Sequence, residues 1–136
     1  MKLLDTNIFL RYLVRDDPVK ARATRALFQR IRRGAEVGAT SEAVVAEIVY
    51  VLSSPRWYRF THAEIRARLR PLIALRGVRM SHKRTVLQAL NVYAAHPFLD
   101  FEDALTVAHS KRLGITEILS YDSDFDRVGG VQRVEP

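Results

Sequence analysis

Lys2-Leu3-Leu4-Asp5-Thr6-Asn7-Ile8-Phe9-Leu10 is the stretch from which the architecture can be read. A short apolar strand, about Lys2 to Leu4, ends on a carboxylate, and an apolar helix of about Asn7 to Val14 begins just beyond it. Comparable alternations follow along the chain. Asp17-Pro18 is an N-cap and first-turn pair that opens an Arg-rich helix to about Arg33, stopped by Gly34. Glu36 to Thr40 reads as a strand, and Ser41 caps a helix that Ser53-Ser54-Pro55 breaks. Thr61-His62-Ala63-Glu64 is a capping-box pattern, starting a helix to about Arg76 that Pro71 is expected to kink or split. Val78 to Met80 is a brief strand, Ser81 the expected cap of the next helix, and His96-Pro97 its end. Asp100 to Asp103 starts a further helix that Gly114 ends; Ile115 to Tyr121 and Gly130 to Val134 supply the last strands. Short strands alternating with amphipathic helices predict an α/β sandwich around a mainly parallel sheet, with functional groups at the carboxyl ends of the strands.

At 136 residues with 48% apolar content, residues 1–136 form a single domain with enough chain for its own core. The longest uncharged apolar runs are far too short to span a bilayer, and Asp5 interrupts any basic-then-apolar leader, so cytoplasmic residence is expected. The absence of cysteine excludes disulfides, thiolate metal sites and a Cys nucleophile. The net charge of +7 is unevenly placed: residues 1–99 carry +11 and residues 100–136 carry −4. A basic body beside an acidic C-terminal quarter fits a polyanion-binding surface next to a carboxylate-rich pocket. The 18 arginines against 4 lysines also admit a simpler account, a compositional bias spread over solvated helix faces.

Four acids stand at or within apolar segments: Asp5, Glu47, Asp103 and Asp122. Carboxylates in apolar surroundings are costly unless something positive pairs with them, and a cluster of hard oxygens suits Mg²⁺ or Mn²⁺. Asp5 also suits a helix N-cap. Asp100 is read mainly as the cap of its helix and Asp103 mainly as a chemical group. Glu47 is a lone carboxylate inside Ala43–Leu52, where the alternative is a helix side facing water. In Tyr121-Asp122-Ser123-Asp124-Phe125-Asp126, a calcium loop lacks its glycine and its closing Glu, so Asp122 is the preferred ligand and Asp124 the second.

These motifs, in order, resemble those of a PIN domain, most nearly the VapC-type toxins of type II toxin–antitoxin pairs. They are Leu4-Asp5-Thr6-Asn7-Ile8-Phe9-Leu10-Arg11-Tyr12-Leu13, Ala46-Glu47-Ile48, Asp100-Phe101-Glu102-Asp103-Ala104-Leu105 and Ser120-Tyr121-Asp122-Ser123-Asp124-Phe125. The resemblance implies a three-layer α/β/α PIN-like sandwich and a Mg²⁺- or Mn²⁺-dependent ribonuclease. It carries Asp5, Glu47, Asp103 and Asp122 over as the acidic quartet, with Asn7, Ser120 and Thr6 supporting it. Many relatives have Thr where this chain has Ser120, and the hydroxyl is retained. The resemblance further implies a cognate VapB-type antitoxin whose tail covers the site, and a homodimer.

For hydrolysis of RNA the quartet would hold one or two ions that activate a water, and the resemblance implies 5′-phosphate and 3′-hydroxyl ends. Substrate grip is expected from Arg11 and Arg15, spaced i and i+4 so that both project from one helix face. Arg56-Trp57-Tyr58-Arg59-Phe60 interleaves cations and aromatics as single-strand binders do, though anchoring of the inter-helix corner or of a partner's helix by Trp57 and Phe60 is the favoured reading. His62, His82, His96 and His109 show no ligand spacing and are expected in surface or packing roles. Two other readings compete. A receiver-like phosphoacceptor domain would want paired acids after the first strand and a late-strand Lys, whereas Thr6-Asn7 and Ser120 stand there. A non-catalytic RNA-binding PIN-like module would have lost an acid, and all are present.

Overall fold

A computed structural model describes residues 1–136. Short strands alternate with helices in the order β1 (Lys2–Leu3), α1 (Thr6–Val14), α2 (Pro18–Arg32), β2 (Gly38–Ala39), α3 (Glu42–Ser53), α4 (His62–Ile73). The chain continues with β3 (Val78–Arg79), α5 (Lys83–Ala95), α6 (Phe101–Leu113), β4 (Glu117–Leu119), a 3₁₀ helix at Ser123–Arg127 and β5 (Gln132–Val134). All strand pairs are parallel: β1-β2-β3 form one ladder and β4-β5 another. The α/β class and parallel pairing expected from the sequence are therefore present.

Local sequence explains most boundaries. Asp17 accepts from the Lys20 amide and Pro18 occupies the first turn, as expected of α2. Ser41 caps α3 through the Val44 amide, and both halves of the Thr61–Glu64 capping box are formed on α4. Gly114 closes α6 in the left-handed conformation that glycine adopts without strain.

Three expectations fail. Pro71 does not split α4; it lies in the last turn, and the helix ends at Ile73, short of the expected Arg76. The residue before α5 is His82, in left-handed conformation and without a side-chain cap, so Ser81 is not the cap. Arg15 lies one residue past α1 at φ 59°, so it shares no helical face with Arg11.

The core runs through all the layers, with Phe9, Phe28, Ile48, Leu52, Ile65, Leu69 and Leu90 fully enclosed. Phe28 of α2 receives Phe9 and Tyr12 of α1 at ring separations of 5.5 and 5.0 Å, which fixes α1 behind Asp5. Gly38 allows β2 to approach β1: a Cβ there would stand 2.6 Å from Leu4. Lys83 Nζ donates to the Leu75 and Val78 carbonyls, tying α5 to the end of α4 and to β3. No helix is long and apolar enough to cross a membrane.

Candidate active site

The four acids stand on three kinds of backbone. Asp5 is separated from β1 by one residue, Leu4, whose amide donates to the Ala39 carbonyl. It occupies the N-cap position of α1, yet its side chain caps nothing, so the carboxylate is free for another partner. Thr6 is buried beneath it and Asn7 is exposed in the first turn. Glu47 lies mid-helix on α3. Because Val45, Ile48, Val49 and Leu52 take the core side, Glu47 faces water and forms no ion pair. The buried setting read from its neighbours is corrected here: uncharged flanks do not fix which face of a helix a residue occupies.

Asp103 sits at the third position of α6. Its amide donates to Asp100 Oδ1 at 2.8 Å, which gives Asp100 the capping role expected of it. Burial, followed by the negative charges of Asp100 and Asp122, with Asp124 adding to them, raises the Asp103 carboxyl to about 6. Four carboxylates from α6 and from the loop after β4 are thus brought within electrostatic reach of one another. That loop is internally organised. The Asp122 amide donates to Ser120 Oγ at 3.0 Å and the Asp124 amide to Asp122 Oδ1 at 2.9 Å. Ser120 therefore organises this loop through its hydroxyl acceptor, a role Thr could also fill. Asp126, the last acid of the run, is turned to other work: Arg133 holds it through Nε and Nη2 at 3.0 and 3.1 Å.

Asp5 and Glu47 are not among the charges that perturb Asp103. No group of three or more Asp, Glu or His side chains is gathered closely enough to hold a metal ion. The donor chemistry nevertheless suits a hard divalent cation: Asp5 and Glu47 carry no protein cation, and Asp103 sits among like charges that a cation would relieve.

Around the acids, Arg11 is committed to Asp16 at 2.9 Å, and the Tyr58 hydroxyl donates to the other oxygen of that carboxylate. The Tyr58 bond foremost, then Arg11, hold Asp16 below the usual carboxylate range. Arg15 forms no ion pair. Tyr58 stacks on Phe60 and Arg68 lies over the Phe60 ring, so these aromatics pack the inter-helix corner, while Trp57 stays 55% exposed.

One contact escaped the sequence reading. His109 Nε2 of α6 donates to Glu42 Oε1 of α3 at 2.8 Å, and Arg112 Nε donates to His109 Nδ1. This bond joins the helices that carry Glu47 and Asp103. Its partners are 67 residues apart, and no local pattern signals such a pair.

A family model described as PIN domain matches residues 2–131. The chain belongs to the PIN domain family. Over 129 residues this PIN domain is 25% identical to a VapC ribonuclease of Aquifex aeolicus (strain VF5), covering 95% of this chain and 93% of that protein. Membership sets aside the receiver-like alternative.

Proposed function

We propose that this PIN domain is a divalent-metal-dependent endoribonuclease acting as the toxin of a VapC-type toxin–antitoxin pair. The observation that carries the reading is the coupling of Asp103 to Asp122 and Asp124, which brings the third and fourth motifs of the ordered acids into one electrostatic unit. The similarity to a VapC ribonuclease along nearly the full length supports the same conclusion.

Asp5, Glu47, Asp103 and Asp122 are the residues we assign to hold Mg²⁺ or Mn²⁺, with Asp124 as a further ligand. Such an ion supplies a water of lowered pKa and positive charge beside the scissile phosphate. The protein's own residues do the positioning. Ser120 orients the Asp122 loop through the amide bond, Asp100 fixes the first turn of α6, and the Glu42–His109 bond holds α3 against α6. Thr6 and Asn7 line the first turn behind Asp5. Hydrolysis forms a bond from water oxygen to phosphorus and breaks the bond to the 3′ oxygen, leaving 5′-phosphate and 3′-hydroxyl ends. Arg11 and Arg15 are assigned to the RNA backbone, although Arg11 must share itself with Asp16.

The proposal includes a VapB-type antitoxin, a homodimer and action in the cytoplasm.

The test is cleavage of cellular RNAs by wild type, Asp5→Asn and Glu47→Gln, with Mg²⁺, Mn²⁺ or EDTA. Cleavage is expected with metal only, reduced at least about 100-fold in each variant. Equal cleavage by the variants, or cleavage that survives EDTA, defeats the proposal.

A further inference from the structure

A cavity of about 290 Å³ opens between α3 and the turn that joins α5 to α6. That volume is at the lower edge of small-molecule sites, which begin at roughly 300 Å³. It adjoins the acids without being made of them. Tyr50, on one wall, is one helical turn beyond Glu47; Glu102, on the other, directly precedes Asp103.

The lining has two characters. Tyr50 is 66% exposed, with an aromatic face that no other ring covers. Phe98 also lines the cavity, and its ring is held by the Arg127 guanidinium 3.8 Å from its centroid. His62, also in the lining, is held in place: its ring stacks on Tyr93 at 3.7 Å and its Nε2–H donates to the Leu99 carbonyl. Among the lining residues, Glu102 is exposed and makes no ion pair or side-chain hydrogen bond. Asp100 is beside it, already accepting the Asp103 amide.

Apolar and aromatic walls next to a free carboxylate repel phosphate and accept a flat heterocycle that carries N–H donors. We infer that this cavity is a nucleobase subsite, in which a base next to the scissile phosphate stacks on Tyr50 and offers its Watson–Crick edge to Glu102. Of the four RNA bases, guanine alone presents two adjacent donors, N1–H and the exocyclic amine, which match the two oxygens of a carboxylate. Adenine and cytosine bring one amine each. Uracil brings a single N–H between two carbonyl oxygens, which a carboxylate repels. The subsite therefore prefers guanine and disfavours uracil. The inference deepens the ribonuclease reading and takes its ligand class, RNA, from it.

The test uses the full chain and 5′-fluorescein hexanucleotides, one all-uridine and one with a single central guanosine. Binding is read by fluorescence polarisation in EDTA, and cleavage separately with Mn²⁺. Wild type is expected to bind the guanosine probe at least about fivefold more tightly, the low end for one bidentate base contact. Glu102→Gln should bring that ratio to about one, and Tyr50→Ala should weaken the guanosine probe about fivefold. Both side chains are on the surface, and thermal unfolding checks that both variants are folded. A wild type without base preference, or variants that keep it, overturns the subsite. Metal-dependent cleavage with a preference unmoved by either substitution sinks the subsite and leaves the ribonuclease reading intact. A preference lost in Glu102→Gln, without cleavage in any metal, upholds the subsite and sinks the nuclease.

Discussion

Replacing Asp103 with Asn separates what this carboxylate does for the site from what it does to the fold. Burial first, then Asp100 and Asp122, raise its pKa from 3.8 to about 6. A group whose folded-state pKa exceeds its unfolded value contributes stability that is fully present below about 3.8 and lost as pH rises through about 6. Above that window the ionised side chain works against folding. At about 1.4 kcal/mol per pH unit the shift corresponds to roughly 3 kcal/mol. The side chain is only partly buried, so solvent screening brings the expected figure to about 1 kcal/mol. Asn keeps the shape and removes the charge. Near pH 7.5 in EDTA, Asp103→Asn should therefore be about 1 kcal/mol more stable than wild type, or about 4 °C higher in Tm. Most of that gain should vanish near pH 4, where the folded wild type is already protonated. Added Mg²⁺ should stabilise wild type and not the variant, and RNA cleavage should be lost. Urea unfolding followed by circular dichroism at the two pH values measures each part. A variant less stable than wild type near pH 7.5, or one with the same gain at both pH values, would refute the electrostatic account of Asp103.

Ser120→Ala removes the acceptor of the Asp122 amide and should lower cleavage about tenfold with little change in unfolding midpoint, while Ser120→Thr should keep near-wild-type cleavage rates. Gly38→Ala drives a methyl group into Leu4, one residue from Asp5; chemical denaturation should report a loss of about 1–3 kcal/mol, and cleavage should fall with it. Thr61→Ala dissolves the capping box of α4, far along the chain from the acids; it should lower stability by about 1 kcal/mol in urea while leaving the specific cleavage rate unchanged.

Several of these elements were legible because their causes are local. Asp17-Pro18, Ser41, Thr61-x-x-Glu64 and Gly114 each satisfy backbone groups within a few residues, so the pattern alone places a helix end. The candidate acids were read in the same way, since each stands in its own short motif. Pro71 and Ser81 misled because a helix end also depends on what packs against it. Near Pro71 the helix buries Leu69, Leu72 and Ile73, which sustains the last turn through a residue that lacks an amide hydrogen. The orientation of Glu47 misled for a related reason: a helix with few charges has more than one face it could bury, and the sheet and neighbouring helices choose among them.

The linear order of residues thus set the class of the fold and most of the helix ends, because hydrophobic period and backbone capping act over a few positions. Which acids feel one another was settled by packing. Asp103 meets Asp122 and Asp124 only once α6 and the loop after β4 come together, and Glu42 meets His109 only across α3 and α6. The cavity beside Tyr50 and Glu102 arises in the same way, from the joining of segments about fifty residues apart. Coulomb interactions, desolvation and cavity shape depend on distance in space, and chain order does not encode that distance until the core has closed.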